Sequence, residues 1–422
     1  MKQVNLLTDS PRRLFFHYLG PTIGSSMVTS IYILADTIMV GQGVGDAGLA
    51  ALTIFMPIVA SFFALGLLLG VGGGVLMSVA KGSGNESLAH KYFSTAMISA
   101  AVVSVCFAVF GAIFFDPMMY ALGADTTNIE LVRGYGLCYT VSAPLFIFSS
   151  SLQSFIRNDK SPRHAMIAVL TGSGLNILLD YLFIFVFKMG MFGASFATSI
   201  GTSITVCILI IHFFTKKNTM RFSFRFFSIK ALWEIAKCGF SSFLIECANA
   251  VLVFVFNHTL LKYIGSVGVT VYSIMSNVAV VCMSLFNGVT LAAQPIIATN
   301  HGADNHKRVL QVRHIGTITS SVIAVIIFCV GFFFPDLLIY SYVKDPTPEI
   351  LELARYALRI YFFAYLFMNF NIFFSGYFQS TLRPVAAITI QILRSLLLSS
   401  VLVSVLPMIF GADAIWYAVP IT

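Results

Sequence analysis

Apolar residues run for twenty or more positions at a time along this chain, with short polar connectors between the runs. The long stretches fall at about 14–40, 50–78, 92–115, 132–156, 163–187, 192–214, 233–261, 267–298, 314–335, 354–379 and 385–409. Each is long enough to cross a hydrocarbon layer about 30 Å thick as a helix. Ala, Leu, Phe and Gly fill them without the period-two alternation of a barrel strand, which predicts an all-α polytopic membrane protein. The first run carries Asp36 and lacks a small-residue cleavage site, so it reads as a span, not a signal peptide. A twelfth helix is expected to begin at Gly411 and is truncated at Thr422.

Segments about 220 residues apart match in order. Lys81-Gly82-Ser83-Gly84-Asn85 follows the second run and His301-Gly302-Ala303-Asp304-Asn305 the eighth, while Pro162 and Pro384 open the fifth run of each half. Gly193-Ala194 and Gly411-Ala412 open the sixth. An even number of spans per repeat gives the halves one orientation, and proteins built this way place a cavity between their halves near mid-membrane. The predicted organisation is an amino-terminal six-helix bundle at 1–214, a cytoplasmic linker at 215–232 and a carboxy-terminal bundle at 233–422, incomplete at its end.

Composition agrees: 58% hydrophobic and 10% charged residues, with a mean hydropathy of +0.90, exclude a soluble domain. The net charge of +8 is a topology signal, not a nucleic-acid signal, because the bases are unevenly placed. Lys2, Arg12 and Arg13 precede the first span, and the even connectors hold Lys81, Lys91, Arg157, Lys160, Arg163, Lys216, Lys217, Arg221, Arg225, Lys230, Lys237, Lys307, Arg308, Arg313 and Arg383. The opposite connectors carry Asp46, Asp116, Asp125, Glu130, Asp336, Asp345, Glu349, Glu352 and Asp413. The amino terminus is therefore expected in the cytoplasm. The Phe-rich basic stretch Lys216 to Lys237 is expected to lie along inner headgroups and bridge the halves. Seven scattered cysteines and the histidines show no metal-ligand spacing. Gly70-Val71-Gly72-Gly73-Gly74 lacks the Lys-Ser/Thr of a phosphate loop and reads as helix packing.

Three acids, Asp36, Asp180 and Glu246, interrupt apolar runs. A charge at the bilayer centre costs about 2.5–3.5 kcal/mol on insertion scales, so such residues are candidates for ion or substrate handling. Asn176 and Asp180 lie one turn apart on one helix face, as do Ala194 and Thr198 on the next span. With Asp36 they would form an oxygen-rich pocket suited to a proton or a hard cation such as Na⁺, with no soft or transition-metal ligand nearby. Two carboxylates in one low-dielectric pocket resist ionising together and titrate as a pair. Glu246 is read as a contact for a cationic substrate, with Asn249 and Asn257 on its helix and Arg394 as a possible counter-charge in the same cavity. Phe-rich helices are expected to supply an apolar, cation-attracting wall.

Several spaced motifs resemble the multidrug and toxic compound extrusion (MATE) family. They are Ala35-Asp36-Thr37-Ile38-Met39-Val40-Gly41 with Gly48-Leu49-Ala50-Ala51-Leu52, then Gln153, Phe155, Arg157 and Asp159, then Asn176 to Asp180, then Gln294-Pro295. The resemblance implies two six-helix bundles around a V-shaped cleft and export of lipophilic organic cations by antiport with Na⁺ or H⁺. It implies no cofactor, small cationic amphiphiles and membrane lipid as partners, no nucleic acid, a monomer, and a bacterial cytoplasmic membrane. In that family the amino-terminal ion site uses the positions matching Asp36, Asn176, Asp180 and Thr198, with a backbone carbonyl at the position of Ala194. Pro21 matches a kink proline and is expected to act as a hinge. The tenth run has Asn369 and Asn371 where the branch with a carboxy-terminal ion site has an Asp, so the amino-terminal-site branch is the nearer resemblance. Two other readings remain: a flippase for lipid-linked oligosaccharides, which needs a cavity lined by Arg and Lys, and an intramembrane enzyme using Asp36 and Asp180 as a dyad.

Overall fold

A computed structural model describes residues 4–343 and 346–422; Lys2 and Asp345 lie outside them, as does the side chain of Ser395. All eleven apolar runs are helical. The spans are Pro11–Gly43, Asp46–Gly82, Glu86–Ile113, the pair Ile129–Val141 and Ala143–Asn158, Pro162–Val186, Gly190–Phe214, Ile229–Tyr263, Ser266–Gly302, His306–Phe333, Pro348–Ser380 and Pro384–Phe410. The fourth bends by 52° between its two parts, where Pro144 removes an amide donor at the start of the second. Prolines also open the first, fifth, tenth and eleventh spans, a position where a missing N–H costs nothing. After Gly411 only short helical turns at Ala412–Tyr417 and Ala418–Ile421 follow, burying Trp416.

The repeat is written into the backbone as well as the sequence. Left-handed residues recur at matching turns: Gly45 and Gly265 (φ 88° and 84°), Gly84 and Asp304 (77° and 57°), Lys160 and Leu382 (61° and 54°). Both fifth-in-half spans contain a π-helical turn, at Tyr181–Val186 and Ile392–Leu398. The halves also meet through equivalent contacts at the end that carries Lys81. A Cβ on Gly82 would strike the Thr299 carbonyl, and one on Gly302 would strike the Val79 carbonyl. Farther in, Gly72 faces the Ile235 carbonyl and Gly239 faces that of Leu68. Small residues let the backbones close up here, and the helices seal this basic end. The rest of the glycine run also packs tightly, Gly70 against Ser151 and Gly73 against the Phe155 ring.

The first span serves both halves. Leu14, Phe15 and Tyr18 pack with Val289, Ile296 and Val312 of the second half, whereas Val40 belongs to the core of the first. Pro21 sits between these two sets, where the helix changes partners.

At the basic end the connector after the sixth span is tied down by Asp159. Its buried carboxylate meets Lys81 at 2.5 Å, His212 at 2.9 Å and the Thr219 amide at 3.0 Å. Burial alone would push this carboxyl up, but the hydrogen bond from His212 and the Lys81 charge outweigh it and hold Asp159 below the usual carboxylate range. A depressed carboxylate stabilises the fold at neutral pH, and that contribution disappears only as pH falls through the lowered value. Asp159→Ala leaves Lys81 without its anion and is expected to cost about 3 kcal/mol. The check is the apparent melting temperature in detergent: a drop of several degrees at neutral pH that narrows on acidification is expected, and an unchanged melting curve would contradict it.

Candidate functional site

A cleft of about 590 Å³ opens between the halves and takes wall residues from both. From the first half Tyr32, Asn176 and Thr198 reach it; from the second, Glu246, Asn249, Tyr361 and Arg394. Asp36 and Asp180 lie just behind the first group, 7% and 0% exposed. Asp36 is close enough to Asp180 to act on it electrostatically, and Tyr32, one turn before Asp36, feels both charges. Asn176 donates to the Thr198 hydroxyl at 3.3 Å, and Thr198 donates to the Ala194 carbonyl at 3.0 Å. The structure thus brings Asp36, Asn176, Asp180, Ala194 and Thr198 into one neighbourhood.

What distinguishes this neighbourhood is unsatisfied acceptors. Asp36 Oδ1, Asn176 Oδ1 and both Asp180 oxygens are buried without a hydrogen-bond partner. Asn176 is within reach of Asp180, but the bond of good geometry its amide makes goes to Thr198. Buried polar atoms are nearly always paired, and lone carboxylate oxygens are the costliest exception. A cluster with more acceptor oxygens than donors to satisfy them leaves room for a proton or a hard cation. No group of three or more His, Cys, Asp or Glu suited to a transition metal occurs among the described residues.

The second half differs. Glu246 and Asn249 line the cleft, while Asn257, two turns farther along, does not, and its Oδ1 is buried without a partner. Asn369 accepts from Ser320 at 3.1 Å and donates to the Leu366 carbonyl at 2.7 Å, so it stitches helices together.

Two expectations need correction. Arg157, placed above in a connector, is the penultimate residue of Ala143–Asn158; it is 6% exposed, bonds Ser154 at 3.1 Å and lines the cleft. The wall is also not Phe-rich: of 41 phenylalanines, Phe63 and Phe146 are the ones that line it among the described residues. Serines and threonines recur along it instead, on both halves, among aliphatic side chains. Tyr32 went unremarked in the sequence, although its spacing four residues before Asp36 places it on the same face.

Two homologous helical halves around a cleft that carries charged and hydroxyl groups, with orphaned carboxylates at its edge, are the architecture of a membrane transporter with parallel repeats. The MatE family matches residues 21–182 and 238–405, and the chain belongs to that family. The multidrug export protein MepA of Staphylococcus haemolyticus is 26% identical over 407 residues, covering 96% of this chain and 89% of its own. MepA of Staphylococcus aureus is 24% identical over 407 residues, with the same shares covered. A multidrug resistance MATE family transporter of the MOP superfamily, solved in an outward-facing conformation, superposes with a TM-score of 0.94 at 22% identity, covering 100% of this chain and 94% of its own. The chain is thus a multi-pass transporter and not an enzyme, which removes the aspartate-dyad reading.

Proposed function

We propose that this protein is a secondary active multidrug exporter, expelling lipophilic organic cations in exchange for Na⁺ or H⁺ by alternating access. The amino-terminal half, with its orphaned Asp36, Asn176 and Asp180 oxygens, supports this reading most directly. Those oxygens, with Thr198 and the Ala194 carbonyl, would hold the coupling ion, and Glu246 with Asn249 would meet the cation. Ion entry neutralises the Asp36 and Asp180 charge, changes its hydrogen bonding, bends the first span near Pro21 and weakens the cleft for a cation. The basic end is cytoplasmic by the charge rule, so the glycine seam closes the inner side. One charge moving inward down 100 mV supplies about 2.3 kcal/mol. The protein would act as a monomer in a bacterial cytoplasmic membrane.

The test is ethidium efflux from resealed vesicles under a Na⁺ gradient or a pH gradient, each imposed alone. Saturable efflux that stops when the effective gradient is collapsed is expected, and naming that gradient identifies the ion. Non-saturable efflux indifferent to both gradients would mean a pore. Arg157 and Arg394 in the cleft give some support to the second reading, a flippase for lipid-linked oligosaccharides, which predicts no ethidium transport under either gradient.

A further inference from the structure

A groove of about 800 Å³ lies on the lipid-facing side of the first half and shares no wall residue with the cleft between the halves. It follows Ile129–Val141, the first part of the bent fourth span, and the start of Gly190–Phe214, with Glu130 and Arg133 at its mouth and Ser142 and Ser203 at its far end. From Glu130 to Ser142 a helix rises about 18 Å, close to the ~15 Å depth of one leaflet's hydrocarbon. Leu137, Val141, Phe192 and Phe196 are exposed along it, so the groove opens to lipid tails. The fourth span turns by 52° at the groove's far end, and Gly134, Cys138, Ser199 and Ser203 give it a low floor. No close approach requires that glycine: a Cβ on Gly134 would sit 3.7 Å from the Met191 Cβ, an ordinary contact. Glycine inside a helix costs about 1 kcal/mol against alanine, and room for a molecule beside the helix accounts for it here.

The mouth carries charges of both signs. Arg133 donates to both carboxylate oxygens of Asp116, from Nε at 3.2 Å and from a terminal nitrogen, which leaves its other N–H groups for a further acceptor. Its side chain is 49% exposed. Glu130, one turn earlier on the same face, is near enough to act on Arg133 but forms no ion pair among the described residues. Two acids flank one base, so the mouth disfavours an anionic headgroup and suits one that carries an amine beyond its phosphate. We propose that this groove binds one phospholipid with a zwitterionic, primary-amine headgroup, of the phosphatidylethanolamine type, in the leaflet opposite the basic end. Its ammonium donates hydrogen bonds to the Glu130 carboxylate, which a quaternary choline cannot do, and its phosphate lies on the free side of the Arg133 guanidinium. One acyl chain runs along Leu137, Val141, Phe196 and Ile200. Phe192, Phe196, Ser199 and Ser203 lie on the opposite side of their helix from Ala194, Thr198 and Gly201, so the seated lipid backs the helix that serves the ion pocket.

Delipidated full-length protein in detergent is offered dioleoyl phosphatidylethanolamine, phosphatidylcholine or phosphatidylglycerol, and native mass spectrometry counts what stays bound. One phosphatidylethanolamine per chain is expected, retained about threefold or more over either competitor, the worth of an exposed ion pair. Glu130→Gln should level phosphatidylethanolamine with phosphatidylcholine, and Gly134→Leu, which raises the floor, should lose the bound lipid. The place is read separately, in a protein whose other cysteines are replaced: phosphatidylethanolamine should slow maleimide labelling of Cys138 several-fold, and phosphatidylglycerol much less. The headgroup comparison on the unaltered protein does not depend on any variant folding. Equal retention of all three lipids would mean ordinary boundary lipid and overturn the proposal, as would a preference for phosphatidylglycerol. So would a phosphatidylethanolamine preference undiminished in a folded Glu130→Gln protein, or Cys138 labelled at one rate with every lipid. Neither measurement involves a gradient or transport, so the outcome is independent of the exporter reading.

Discussion

Vesicles containing Asp180→Asn are expected to export ethidium no faster than empty vesicles under either gradient, while the purified variant still folds and binds the dye. Asparagine keeps the side-chain shape but removes the negative charge and the proton site. It also brings an amide donor into a group of acceptors, so the coupling ion loses its seat. Asp180 is fully buried with both oxygens unpartnered, so loss of its charge should not unfold the helix around it. Asp36→Asn should behave alike, because the two acids act on one another and one charge alone cannot hold both ion and counter-charge. Gradient-driven export undiminished in both variants would reject the coupling assignment.

The second large effect is expected at the glycine seam. Alanine at Gly82 drives a methyl group into the Thr299 carbonyl, and alanine at Gly302 does the same at Val79. Each contact is backbone, which cannot rotate away, so the overlap is relieved only by separating the halves. Overpacking of this kind costs about 1–3 kcal/mol per site, enough to move a balanced two-state equilibrium by tenfold or more. The double variant Gly82→Ala with Gly302→Ala should therefore favour opening at the basic end and slow export sharply. Cys238, 3% exposed and beside Gly239 in the seam, reports on this directly. In a protein whose other cysteines are replaced, maleimide should label Cys238 slowly with the native glycines and much faster in the double variant. Equal labelling would show that the seam does not hold the halves together.

The parts of this architecture legible in the sequence were those with a strong local cost. A carboxylate in an apolar run is expensive wherever it lies, so Asp36 and Asp180 stood out unaided. Glycines and prolines at matching turns exposed the repeat because few other residues tolerate those conformations, and the left-handed Gly45 and Gly265 carry that reasoning into the backbone. Which face of each helix meets the cleft was not legible. Lipid tails are as apolar as a packed interior, so a phenylalanine facing lipid and one lining the cleft look alike in sequence. Arg157 was misplaced for a related reason: with Asp159 and Lys160 beside it, it resembles part of a connector, and only the packing of Ala143–Asn158 shows it turned inward. Tyr32 was missed because tyrosine carries no cost that singles it out in a membrane helix.

The central claim is that a cation held at Glu246 and a coupling ion held by Asp36 and Asp180 share one cleft and displace each other electrostatically. It is tested most directly by counting ions released when ethidium is added to purified protein, in weakly buffered detergent solution for protons and after Na⁺ loading for sodium. The unaltered protein should release one of the two ions in proportion to bound dye, and the Asp36→Asn, Asp180→Asn double variant should release neither while still binding ethidium. Release of the same amount from the double variant would contradict the claim.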